Sequence, residues 1–164
     1  TTDAMGTQVF LDGSMAATDA VTVGLQGYYA KAADNDEEQY VLLGNSFNGW
    51  DPIMDVGTSL SNEAIEVFDR PFDFTGDEAG VTGGRLYGKF KLAEGVNAGA
   101  SIAYLEPEDD KYTTVDDATV FAAGITYDLM ANTSLQAQFQ YSDFSDSVDD
   151  EELTQIGTGL FVKF

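Results

Sequence analysis

The sequence predicts an all-β fold, a transmembrane antiparallel barrel wall rather than a soluble globule. Three observations predict it. Apolar and polar residues alternate with period two through several separate stretches. The connections between those stretches alternate between short and long. The acidic residues gather in the long connections, which hold 24 of the 29.

Each strand follows from its own alternation. A first, short strand covers about Met5–Ser14. The second places Val21, Val23, Leu25, Gly27 and Tyr29 on one face and Thr22, Gly24, Gln26 and Tyr28 on the other. The third sets Gly84, Leu86, Gly88, Phe90 and Leu92 against Arg85, Tyr87, Lys89 and Lys91. The fourth carries Val96, Ala98, Ala100, Ile102 and Tyr104 on its apolar parity, and the fifth Phe121, Ala123, Ile125 and Tyr127. The sixth is the cleanest: Leu135, Ala137, Phe139 and Tyr141 oppose Gln136, Gln138 and Gln140. The seventh alternates from Thr154 through Ile156, Leu160 and Val162 to Phe164. Such stretches match the roughly 9–11 residues a tilted strand needs to cross a bilayer.

Met15–Asp19, Ala93–Gly95 and Asp128–Thr133 read as short turns; 32–79, 106–117 and 143–152 read as long connections. Short turns on one side and long loops on the other is the asymmetry of an outer-membrane barrel. Aromatic residues fall near both strand ends: Tyr127, Phe164 and Phe90 by the short turns, Tyr29, Tyr104 and Tyr141 opposite them. Two aromatic girdles at the membrane interfaces produce that distribution.

Composition excludes several functions. The chain has 164 residues, a formal charge of −22, and no Cys and no His. A disulfide framework, a thiolate zinc site, a Ser-His-Asp triad and an imidazole shuttle are all ruled out within it. Strong negative charge repels phosphate backbones, so nucleic acid is not an expected partner. The families of outer-membrane lipases, proteases and acyltransferases use His, so the expected role is not enzymatic.

The C-terminal half resembles a known family. Phe164, with Val162, Leu160 and Ile156 at alternate positions before it, looks like the assembly signal that ends Gram-negative outer-membrane proteins. The run Ile156-Gly157-Thr158-Gly159-Leu160-Phe161-Val162-Lys163-Phe164 is similar to the last strand of the bacterial general porins. Tyr127-Asp128-Leu129 followed by Thr133-Ser134-Leu135 looks like their last periplasmic turn. The likeness covers about Gly80–Phe164. It implies a homotrimer of barrels with about 16 strands, within the even counts such barrels adopt. It also implies a place in the bacterial outer membrane, in contact with lipid and lipopolysaccharide. The expected function is a water-filled channel for passive diffusion of small hydrophilic solutes and ions. The competing expectation is a non-conducting outer-membrane barrel, a surface adhesin or a sheath for a partner protein.

Counting seven strands back from a periplasmic C-terminus puts Thr1 on the outer side. A closed single-chain barrel has an even strand count and no open edge in lipid. Residues 1–164 are therefore expected to form one barrel segment, completed by a companion N-terminal chain or segment. The alternative expectation is a complete barrel of eight strands.

The candidate site residues lie on the polar parities. Arg85, Tyr87, Lys89, Lys91, Gln136, Gln138, Gln140 and Lys163 are expected to line the pore, since a cation facing lipid costs about 2–4 kcal/mol near the midplane. Residues 32–79 are expected to form a long extracellular or lumen-folded loop, with Asp51, Asp55, Glu63, Glu66 and Asp69 on the acidic side of a constriction. A basic strip facing acidic groups sets a transverse field that orients solutes and biases ion traffic. No cofactor is expected beyond Ca2+ held by oxygen ligands at Asp109, Asp110, Asp116 and Asp117. Gly80-Val81-Thr82-Gly83-Gly84 lacks the Lys-Ser/Thr ending of a phosphate loop.

Overall fold

A computed structural model describes residues 8–31, 80–109, 115–146 and 151–162. Among these residues the fold is all-β: seven strands in one antiparallel sheet, with no helix. The strands are β1 (Gln8–Thr18), β2 (Val21–Ala30), β3 (Val81–Ala93), β4 (Val96–Glu106), β5 (Val115–Met130), β6 (Thr133–Asp146) and β7 (Glu151–Val162). Each pairs with its sequence neighbours, so the sheet order is the chain order.

Three connections are two-residue turns: Asp19–Ala20, Glu94–Gly95 and Ala131–Asn132. Each follows a register irregularity, at Ala16/Thr18, Lys91/Ala93 and Asp128/Met130. A bulge beside a tight turn increases the right-handed twist, which helps antiparallel strands close a short loop. Gly95 sits at φ 71°, where a side chain would strain the backbone. Neighbouring hairpins are tied at this end. The Lys91 N–H donates to the Ala20 carbonyl at 2.8 Å, and the Asp128 N–H to the Gly95 carbonyl at 2.7 Å.

The strand count and the faces agree with the sequence reading, but several boundaries move. The first strand runs on to Thr18, so the turn is Asp19–Ala20 rather than Met15–Asp19. The alternation is blurred there because Gly13, Ala16 and Ala17 declare no face. The fifth strand continues through Asp128 to Met130 by way of its bulge. On the side of the long connections, β5, β6 and β7 reach into stretches that read as loops. Asp116, Asp117, Asp143, Asp146, Glu151 and Glu152 thus occupy strand ends. Asp143 even pairs with Glu152 across β6 and β7.

The burial pattern inverts that of a soluble sheet. Leu11, Leu25, Leu86, Ile102, Phe121, Leu135, Ile156 and Leu160 are exposed, Ile156 by 76%. Phe121 and Phe139 meet on that face with ring centroids 6.3 Å apart. Gln26, Arg85, Ser101, Gln136, Gln138, Gln140 and Ser142 are buried on the opposite face. Soluble proteins scatter exposed apolar side chains singly and rarely bury Arg or Gln in such a series. The polar face is itself graded. Toward the long-connection end it becomes apolar, with Tyr28, Ala103, Leu105, Ala118, Val120 and Ala122 buried.

Candidate functional site

The polar face is assembled by register. Asp12 of β1 lies opposite Gln26 of β2, which lies opposite Arg85 of β3, then Ala103, Val120 and Ser142 on the next three strands. One row nearer the short turns run Ser14, Gly24, Tyr87, Ser101, Ala122 and Gln140. Residues sharing a row share a face, because side chains alternate strictly along a strand.

Four of these side chains form one network. Arg85 Nη1 donates to Gln26 Oε1 at 3.3 Å, and Gln26 Nε2 donates to Asp12 Oδ2 at 3.3 Å. The Tyr87 hydroxyl donates to the other oxygen, Asp12 Oδ1, at 3.1 Å. Gln26 therefore relays between a guanidinium and a carboxylate on the two flanking strands. The Arg85 guanidinium lies 5.9 Å from the Tyr87 ring centroid and the Lys89 ammonium 5.7 Å from it, both within cation–π range. Arg85 is only 5% exposed, and a buried charge persists only where polar partners replace water.

Gly24 makes the Tyr87 geometry possible. A Cβ at Gly24 would collide with the Tyr87 ring and its hydroxyl, so the ring lies where a side chain of β2 would stand. Gly83 does the same for Leu105, whose side chain occupies the space a Cβ there would need. Gly24 and Gly83 are thus seats for a neighbour's side chain.

Of the expected pore-lining residues, Arg85, Tyr87 and Lys89 come together. Lys91 shares their parity but is exposed at the turn end of β3. Gln136, Gln138 and Gln140 share the polar face on β6, three strands away. Lys163 and the acidic residues Asp51, Asp55, Glu63, Glu66 and Asp69 lie outside the described residues, as does Asp110. Asp109 follows β4, while Asp116 and Asp117 begin β5 as adjacent residues. No group of three carboxylates suited to a metal ion occurs among the described residues.

Sequence reasoning missed Asp12 and the relay through Gln26. Gln26 stood on the polar parity of β2. Asp12 falls inside the first strand as read from the sequence, away from the long connections, and that was the available signal. No family model matches the chain, and comparison with curated proteins and with solved structures returns no match.

Proposed function

We propose that this chain contributes seven strands to the wall of an outer-membrane barrel, its polar face lining a water-filled channel. The channel passes small hydrophilic solutes and ions passively, and no residue acts as a catalyst. One observation carries the reading: toward the short turns the sheet buries Gln26, Arg85, Ser101, Gln136, Gln138 and Gln140 on one face, while Leu, Ile, Phe and Val side chains are exposed on the other. Full burial of each large apolar side chain is worth about 1.5–3 kcal/mol, so such a face favours contact with lipid tails. Barrel closure fits the same reading, because β1 and β7 stand at the two edges of the described sheet. In hydrocarbon every strand edge needs a partner. The strands that complete the ring, and a trimer of such rings, come from the likeness to the general porins.

Planar-bilayer recording tests this proposal. Stepwise ohmic conductance from the purified, folded protein supports it. Folded protein that inserts without conducting rejects it.

One feature favours the second reading, a non-conducting barrel that sheathes a partner. The polar face turns apolar toward the long connections, where Leu105 and Ala118 are fully buried. An apolar wall suits a packed occupant better than a water column. The same recording separates the two, since a sheath folds and inserts silently.

A further inference from the structure

We propose that a hollow at the short-turn end of the polar face binds a small organic ammonium ion of the choline type, a quaternary nitrogen with a hydroxylated arm. The β3–β4 turn, the β5–β6 turn and the end of β7 line a single cavity there, of about 410 Å3. Small-molecule pockets span roughly 300–1,000 Å3. Register builds one wall of it. Asp128 of β5 lies opposite Ser134 of β6, which lies opposite Phe161 of β7. Ser134 has the parity of Gln136, so this row faces the polar side. Glu94 enters from the neighbouring turn. The Asp128 N–H donates to the Gly95 carbonyl at 2.7 Å and ties the two turns together. A Cβ on Gly95 would stand 3.7 Å from Oδ2 of Asp128, so that carboxylate lies against the turn that carries Glu94.

Two separate features of the cavity point to one ligand chemistry. The first is the Phe161 ring. Its neighbours on the same parity of β5 and β6 are Thr126, Asp128, Ser134 and Gln136, all polar. A half-buried aromatic ring is out of pattern in that company, and it gives the cavity an aromatic wall. The second is charge. Glu94 and Asp128 are exposed at the cavity, and neither is in an ion pair among the described residues. An aromatic face and two carboxylates around one hollow favour a cation. A quaternary ammonium suits them best, because its methyl groups pack on a ring while its charge is drawn to the ring face and to carboxylates. Met130 lines the same cavity and adds a polarizable apolar surface for those methyl groups. The Ser134 hydroxyl offers a partner for the polar arm. A metal ion is served less well, since it takes six or more oxygen ligands and no group of three acids occurs among the described residues. The cavity needs the sheet and its turns, and does not depend on the channel reading.

Saturation-transfer NMR titration of the purified, folded protein in detergent tests the site with three probes of similar shape. These are choline, betaine, and neohexyl alcohol, the neutral analogue of choline with carbon in place of nitrogen. Choline is expected to bind about tenfold more tightly than neohexyl alcohol. Betaine is expected to bind more weakly than choline, because its carboxylate meets Glu94 and Asp128. The double variant Glu94→Gln with Asp128→Asn is expected to bring choline down to the level of the alcohol. Phe161→Leu keeps an apolar side chain but removes the ring, and is expected to weaken choline by roughly threefold. Equal binding of choline and neohexyl alcohol by the unaltered protein overturns the site, whether or not the variants fold. A double variant that is folded by circular dichroism and still prefers choline also overturns it. Choline preference without conductance leaves the site and removes the channel. Conductance without choline preference removes the site and leaves the channel.

Discussion

The phenol of Tyr87 on the third strand reaches Asp12 on the first, donating a 3.1 Å hydrogen bond across the strand between them. The crossing runs over Gly24, the residue paired directly with Tyr87. Two constraints meet here: the ring needs the missing Cβ, and the carboxylate needs the ring's hydroxyl. Gly24→Ala should evict the ring and lower stability by about 1–3 kcal/mol, the usual range for overpacking. Urea titration of the folded protein in vesicles measures it. In the double variant Gly24→Ala with Tyr87→Ala, the loss should be smaller than the sum of the single losses, because neighbours couple. Strict additivity would show that the ring does not depend on Gly24.

Arg85 and Lys89 stand on either side of Tyr87 along β3 and place two positive charges on the proposed channel wall. Replacing both with Glu turns that local charge from +2 to −2. Cations are then attracted and anions repelled, so the reversal potential in a salt gradient should move toward the cation equilibrium potential. A reversal potential equal to that of the unaltered protein would take both residues off the conduction path. Asp12→Asn should act in the opposite sense and more weakly, since it removes one negative charge.

Much of the sheet was legible because β6 alternates cleanly from Ser134 to Ser142. Leu135 and Phe139 against Gln136, Gln138 and Gln140 fix the face of every residue between them. β1 was legible only in part. Gly13, Ala16 and Ala17 are small enough for either face, so the strand's extension to Thr18 left no hydropathy trace. The long-connection ends were misread for another reason. Asp143 and Glu152 are acidic, yet they pair across β6 and β7 as strand residues. Charge composition there outweighed backbone pairing. The site was legible one strand at a time. Asp12, Gln26 and Arg85 are separated by 14 and 59 residues in sequence, and only the register makes them neighbours.

Glycines on this sheet differ in what they tolerate, and two of them give opposite expectations. Gly95 closes the β3–β4 turn at φ 71°, and a Cβ there would lie 3.2 Å from Cβ of Asp128. Gly95→Ala should cost about 1–2 kcal/mol from the left-handed backbone alone. A Cβ at Gly13 would meet nothing within 4 Å among the described residues, and φ there is not positive. Gly13→Ala should therefore be neutral or stabilise by about 0.4–1 kcal/mol, through the unfolded chain. Paired urea midpoints check both, and a Gly95→Ala midpoint at or above that of Gly13→Ala would contradict the turn geometry.

The apolar face gives the most direct test of the membrane reading. Leu25 is 64% exposed in the middle of β2 and pairs with Leu86, itself 56% exposed, on β3. Water and lipid make opposite demands of such a position. On a water-exposed surface Leu25→Arg removes little burial, and such changes usually fall within about 0.5 kcal/mol. Facing hydrocarbon near the midplane, the same guanidinium costs about 2–4 kcal/mol. The substitution touches none of the Asp12, Gln26, Arg85 and Tyr87 contacts, since Leu25 lies on the opposite parity from Gln26. A lowered urea midpoint in vesicles, with the conductance of the surviving folded fraction unchanged, is the expected outcome. An unfolding free energy within about 0.5 kcal/mol of the unaltered protein's would place Leu25 in water and remove the bilayer from the account.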